Sequence, residues 1–257
     1  MWFGGVIDTS LVPFKETHVN VAYLSSLKDK VVQNLDNYCR SDGVLSGKDI
    51  EADCFPEINA DVFISHSHND EDYAQRVASW LNSQFGLLPF IDSFVWKSED
   101  RLLKIVDDKY CLNYNGKTYS YEARNLSTSY IHMMLASAIS KMIDRCPLFI
   151  FIKSSNSLVV SEIQECSSTF SPWIFYELLF YNKTKIRIPQ KYKIFAKTAC
   201  LSEARENLKI EMPVQMQTLH TLSRTILNEW NDNYRKASQG ILPIEMLYKI
   251  LTMHIEK

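Results

Sequence analysis

Two rhythms of apolar positions run along this chain. Ala60-Asp61-Val62-Phe63-Ile64-Ser65 is short, β-branched and aromatic, follows Pro56, and predicts a strand. Asn69 and Asp70 are cap candidates for the helix after it, and Glu71 and Asp72 suit the positive end of its dipole. Tyr73, Val77, Trp80, Leu81 and Phe85 then recur at helical spacing, and Gly86 is placed to stop them. A second strand is predicted at 87–92. The stretch beyond it holds a helical piece at 102–106 and an Asn115-Gly116 turn that suggests a small hairpin. Ile131, Leu135, Ile139 and Met142 predict a third helix, with Ser127 or Thr128 as its cap. Leu148-Phe149-Ile150-Phe151-Ile152 is apolar throughout and predicts a strand buried on both faces, closed by Ser154-Ser155-Asn156-Ser157. Ser171-Pro172 opens another helix in the favoured order, cap then proline.

Outside this core the pattern is more helical. Residues 1–57 read as an N-terminal helical extension, with Val21, Leu24, Leu27, Val31 and Leu35 on one face. Residues 193–196 read as a further strand. Residues 201–257 read as a C-terminal helical extension, with helices over 215–237 and 243–254. Strands alternating with helices over 58–200 predict an α/β fold, a doubly wound parallel sheet. Ligands bind such sheets at the carboxyl ends of their strands, which points to 65–70, 92–96 and 154–157.

Composition narrows the function. The 257 residues are 46% hydrophobic with a net charge of -2, so the chain can bury a core and carries no footprint for nucleic acid or anionic membrane. No stretch approaches the roughly 20 apolar residues of a membrane span, and no signal peptide is apparent. The six cysteines form no C-x-x-C pair, which predicts reduced thiols and a cytoplasmic protein. With only 7 glycines, neither the dinucleotide fingerprint nor a P-loop occurs.

Three places carry candidate chemistry. In Ser65-His66-Ser67-His68-Asn69-Asp70, H-x-H-x-D resembles the start of a metallo-hydrolase zinc site, but Glu71 stands where a third histidine is wanted, so no metal is expected. The same residues also suit a cap, or a ligand-facing turn led by Ser65 and His66. Glu177 is the acid of the apolar run Pro172–Tyr181, past the capping turn and four residues after Trp173. A carboxylate buried among aromatics is costly unless it is paired or has a task; a salt bridge and a catalytic role both remain open. Asp92 and Trp96 suit a ribose hydroxyl and a stacked ring, or equally a turn cap and core packing.

The strand Asp61-Val62-Phe63-Ile64-Ser65-His66 resembles the opening strand of TIR domains, [DY]-V-F-[IL]-S-[FHY]. Ser171-Pro172-Trp173 with Glu177-Leu178 resembles the TIR helix pattern S-x-W-x-x-x-E-L, and Asp92-Ser93 falls where the family's BB loop begins. The stretch 93–127 is longer than a typical BB loop. A near-stand-alone TIR protein is similar to the bacterial antiphage type, such as the Thoeris proteins.

The resemblance implies a flavodoxin-like fold and cleavage of the nicotinamide–ribose bond of NAD, with Glu177 catalytic and no cofactor beyond NAD as substrate. Ser65, His66, Asp92, Trp96 and Trp173 are the implied substrate-binding residues. It implies self-association through TIR–TIR contacts and a downstream effector that binds a cyclic or conjugated ADP-ribose product. Two other readings stay open: a non-enzymatic TIR adaptor, and a nucleoside deoxyribosyltransferase-like enzyme with a related core.

Overall fold

A five-stranded, all-parallel sheet forms the centre of the larger part of this computed structural model, which describes residues 3–14, 35–96, 99–159, 167–184, 211–237 and 240–255. The chain divides into two units. Unit 1 comprises Met1–Tyr23, Asn59–Ile91 and Ile143–Lys257; unit 2 comprises Leu24–Ile58 and Asp92–Met142.

In chain order the strands are β1 (Phe3–Asp8), β2 (Val62–Ser65), β3 (Pro89–Phe90), β4 (Leu148–Lys153), β5 (Ser167–Thr169), β6 (Met212–Val214) and β7 (Leu219–Thr221). The main sheet runs β3-β2-β4-β1-β7, and β5 and β6 form a separate antiparallel pair. The helices longer than one turn are α1 (Gly47–Cys54), α2 (Glu71–Phe85), α3 (Glu99–Tyr110), α4 (Tyr121–Arg145), α5 (Pro172–Lys183), α6 (Arg224–Lys236) and α7 (Pro243–Ile255). The protein is thus α/β, with a parallel sheet flanked by helices. None of the described helices is long and apolar enough to cross a membrane.

Local chemistry accounts for the elements that position the site. Every residue of β2 is buried, and so is all of β4 up to Lys153, as expected of strands covered on both faces. Gly86 ends α2 in the left-handed conformation at φ 66°, its N–H reaching Asn82 O. The Ser171 side chain caps α5 by accepting from Ile174 N at 3.3 Å, and Pro172 follows it. Tyr181, further along α5, stacks on Phe149 of β4 at 4.7 Å. Behind α2, Phe85 stacks on Trp230 of α6 at 4.0 Å, and the Trp230 indole N–H donates to Pro243 O.

The sheet departs from the sequence pattern at both flanks. Phe3–Asp8, read from sequence as part of a helical extension, is a strand between β4 and β7, in register from Phe3↔Leu148 to Asp8↔Lys153. Its glycines explain why it hides. A Cβ on Gly4 would lie 2.6 Å from Leu219 and the Tyr181 ring, and one on Gly5 would lie 2.4 Å from Leu222. Close packing requires glycines that read as poor strand formers. Likewise β7 lies inside the stretch read as a C-terminal helix, which starts only at Arg224.

Smaller differences follow local rules. Helix α4 begins at Tyr121 instead of near Ser127, with the Ser120 hydroxyl accepting from Ala123 N, because its first two turns are largely solvent-facing and lack an apolar stripe. The second strand is reduced to Pro89–Phe90. The Asn115-Gly116 turn is present, closed by an antiparallel bridge between Leu112 and Tyr119. Most of the expected helix over 16–38 and the strand at 193–196 lie outside the described residues; Leu35–Tyr38 is a 3-10 turn.

Candidate functional site

From β2 the chain passes outward to β3, whereas from β4 the next strand of the sheet is β7 at the opposite edge. The connections therefore diverge between β2 and β4, and the carboxyl ends of these neighbours form a topological switch point. Ser65 ends β2 opposite Phe151 of β4.

Ser65 and Glu177 meet there. The Ser65 hydroxyl donates to Glu177 Oε2 at 2.5 Å, with Ser65 0% and Glu177 2% exposed. Removing a carboxylate from water costs several kcal/mol unless bonds compensate, and this short bond supplies one. His66, 7% exposed, sets its Nδ1 3.3 Å from Ile64 O. Trp173 is half-buried in the first turn of α5, one turn before Glu177. The sequence left a salt bridge and a catalytic role open for Glu177; the structure gives its carboxylate a hydrogen bond from the Ser65 hydroxyl.

Further polar groups line the same edge of the sheet. Asp70 stands at the start of α2 but makes no capping bond with its side chain. Its carboxylate instead accepts from Ser154 Oγ and from Asn156 Nδ2 at 2.8 Å, tying the loop after β2 to the turn after β4. Lys153 Nζ lies 3.0 Å from Asp8 Oδ2, and Thr9 N donates to Lys153 O. Burial pushes the Asp8 carboxyl up, but bonds from Ser10 and Lys153 outweigh it and hold it below the usual carboxylate range. Asp8 and Lys153 were missed from the sequence because β1 was; the signal was an apolar run, Phe3–Ile7, ending in the turn residues Asp8-Thr9-Ser10.

The remaining predicted residues belong to unit 2. Asp92 opens a one-turn helix, Asp92–Val95, and its carbonyl accepts from Trp96 N at 2.8 Å. Trp96 is 5% exposed and packs edge-on against Phe55 at 5.8 Å, the core-packing alternative of the sequence reading.

Among the described residues no group of three or more His, Cys, Asp or Glu side chains converges as a metal site. Cys39, Cys54, Cys111 and Cys146 are free thiols. No family model, no curated protein and no solved structure matches this chain.

Chemically, the site offers a carboxylate in a nearly dry setting, steadied by a hydroxyl donor. Such a group can stabilise a developing positive charge or exchange a proton with a bound substrate.

Proposed function

We propose that this protein is an NAD-consuming enzyme of the TIR type, with Glu177 as its catalytic carboxylate. The single observation that carries the reading is the buried Ser65–Glu177 bond at the β2/β4 switch point, which joins the two motifs that resemble TIR domains. Part of the strand order supports it. In chain order the main sheet reads 3-2-4-1-5; its β3-β2-β4 half corresponds to the 2-1-3 half of the flavodoxin-like order 2-1-3-4-5, whereas the fourth place is held by the N-terminal strand β1.

Cleavage of the nicotinamide–ribose bond sends the bonding electron pair to the nicotinamide, which leaves neutral, while the ribose gains oxocarbenium character. The Glu177 carboxylate stabilises that positive charge, the more strongly because little water surrounds it. Ser65 orients the carboxylate, Trp173 walls the nicotinamide side, and His66 holds a polar group of the dinucleotide. An attacking hydroxyl or amine then bonds to the anomeric carbon and releases its proton. Water yields ADP-ribose; an internal nucleophile or an amino acid yields a cyclic or conjugated product. In this reading the protein is cytoplasmic, self-associates, and feeds a separate effector in antiphage defence.

One observation favours a second reading. Glu177 is 2% exposed, so its carboxylate also serves as an anchor for α5, as a non-enzymatic TIR adaptor would require. Incubating the purified protein with NAD, alone and in lysate from phage-infected cells, separates the two. The enzyme releases nicotinamide, whereas the adaptor leaves NAD intact in both conditions.

A further inference from the structure

Unit 2 carries an open cavity of about 540 Å³ lined by the loop leading into α1, the start of α1, the end of α3 and the first half of α4. That is within the range of about 300–1,000 Å³ usual for small-molecule sites. Among the described residues no Lys, Arg, His, Asp or Glu side chain lines it. Its walls are aliphatic, with Ile50, Val106 and Ile131 among them, and its rim carries Val44, Tyr110, Leu126 and Tyr130, each half or more exposed.

Two buried groups give the cavity a polar spot. Ser127 is 6% and Cys111 2% exposed, and both line it. The Ser127 hydroxyl donates to Asp107 Oδ1 at 2.5 Å, lies 3.0 Å from Arg124 O and accepts from Cys111 Sγ at 3.6 Å, so its hydrogen bonds are met within the protein. Asp107, behind this spot, is neutralised by Arg124 Nε at 2.8 Å. Burial pushes the Cys111 thiol up, so it stays protonated and neutral at physiological pH. Among the described residues the lining is therefore uncharged, its polar groups already bonded, with aromatic edges at the mouth.

We infer that this cavity binds a neutral, largely apolar, ring-bearing small molecule. The neutral lining rejects ions, because nothing in it repays their lost hydration. A flat protein surface would cover the rim tyrosines and leave the interior unfilled; a small apolar ring system fills the interior and meets the rim. The described lining residues all belong to unit 2 and include none of the residues assigned to NAD, so the proposal stands independently of the NAD reading.

The test uses the full chain, with 1-naphthol as the neutral probe and naphthalene-1-sulfonate as its charged counterpart, each titrated by fluorescence. Saturable binding of 1-naphthol is expected, with the sulfonate weaker by about tenfold or more. Ala123→Trp, which fills the cavity, and Val44→Glu, which charges its rim, should each weaken 1-naphthol by about tenfold while the folded circular dichroism spectrum is kept. If Ala123→Trp does not fold, Val44→Glu decides. The proposal is overturned if wild type shows no saturable binding, if the sulfonate binds as well, or if the folded variants bind unchanged. It is also overturned if the chain is a dimer in solution that binds 1-naphthol only after dissociating, since the rim would then be an interface between copies.

Discussion

The Ser65 hydroxyl and the Glu177 carboxylate lie 2.5 Å apart although 112 positions separate them in the chain. The bond fastens α5 to the end of β2. Ser65→Ala removes a buried donor to a carboxylate, so it should destabilise the protein by about 1.5–3 kcal/mol, the range of a hydrogen bond to a charged group. Adding Glu177→Leu should cost less on the Ser65→Ala background than in wild type, because the bond it would break is already gone. Urea unfolding of the two single variants and the double variant measures the coupling. A strictly additive result would show that the bond ties nothing.

The place of β1 inside the sheet makes a sharp prediction about a small change. Gly4→Ala puts a methyl 2.6 Å from the Tyr181 ring and Leu219, and should cost about 1–3 kcal/mol by overpacking. Gly43→Ala is the control, since a Cβ there meets no atom within 4 Å and only its φ of 79° is strained. Thermal unfolding should rank Gly4→Ala below Gly43→Ala. The reverse order would remove Phe3–Asp8 from the sheet.

Acid should loosen the carboxyl edge of the sheet in a defined window. Asp8 is held below its unfolded value of about 3.9, so the unfolded chain takes up the proton first as pH falls. Its contribution is fully present above about pH 4 and is lost as pH drops through the folded value. Asp8→Asn should therefore be less stable than wild type at neutral pH, with the gap closing in acid. Denaturant midpoints of the two proteins across that range check it; a gap independent of pH would contradict it.

How much of this could be read in the sequence depended on distance along the chain. Short-range features were legible: the Gly86 stop, the Ser171-Pro172 start of α5, and β4, whose unbroken apolar run marks burial on both faces. Glu177 stood out because one acid among aromatics is costly wherever it lies. Its partner Ser65 was flagged separately, but no spacing rule joins residues across a sheet. The glycines of β1 looked like weak strand formers because what demands them, Tyr181, Leu219 and Leu222, comes from distant segments. Asp70 looked like a helix cap for the same reason: its actual donors, Ser154 and Asn156, follow a different strand.

Self-association belongs to the proposed reading and has its own consequence. If a neighbouring copy completes the site, NAD turnover should rise more steeply than linearly with protein concentration. Head-to-tail contacts of that kind can extend into open filaments. Turnover strictly proportional to concentration, with one mass in light scattering throughout, would count against it.

The most direct test of the central claim is nicotinamide release from NAD by wild type, Glu177→Gln and Glu177→Ala, each shown to be folded by its thermal unfolding transition. Glu177→Gln keeps the shape of the side chain and an oxygen acceptor for Ser65 but cannot carry the negative charge. The account predicts release by wild type, with product masses that name the acceptor, and loss of about a hundredfold or more in both variants, the scale of removing a key electrostatic group. Folded variants that turn over NAD as fast as wild type, or a wild type inert at high concentration and in infected-cell lysate, would contradict it.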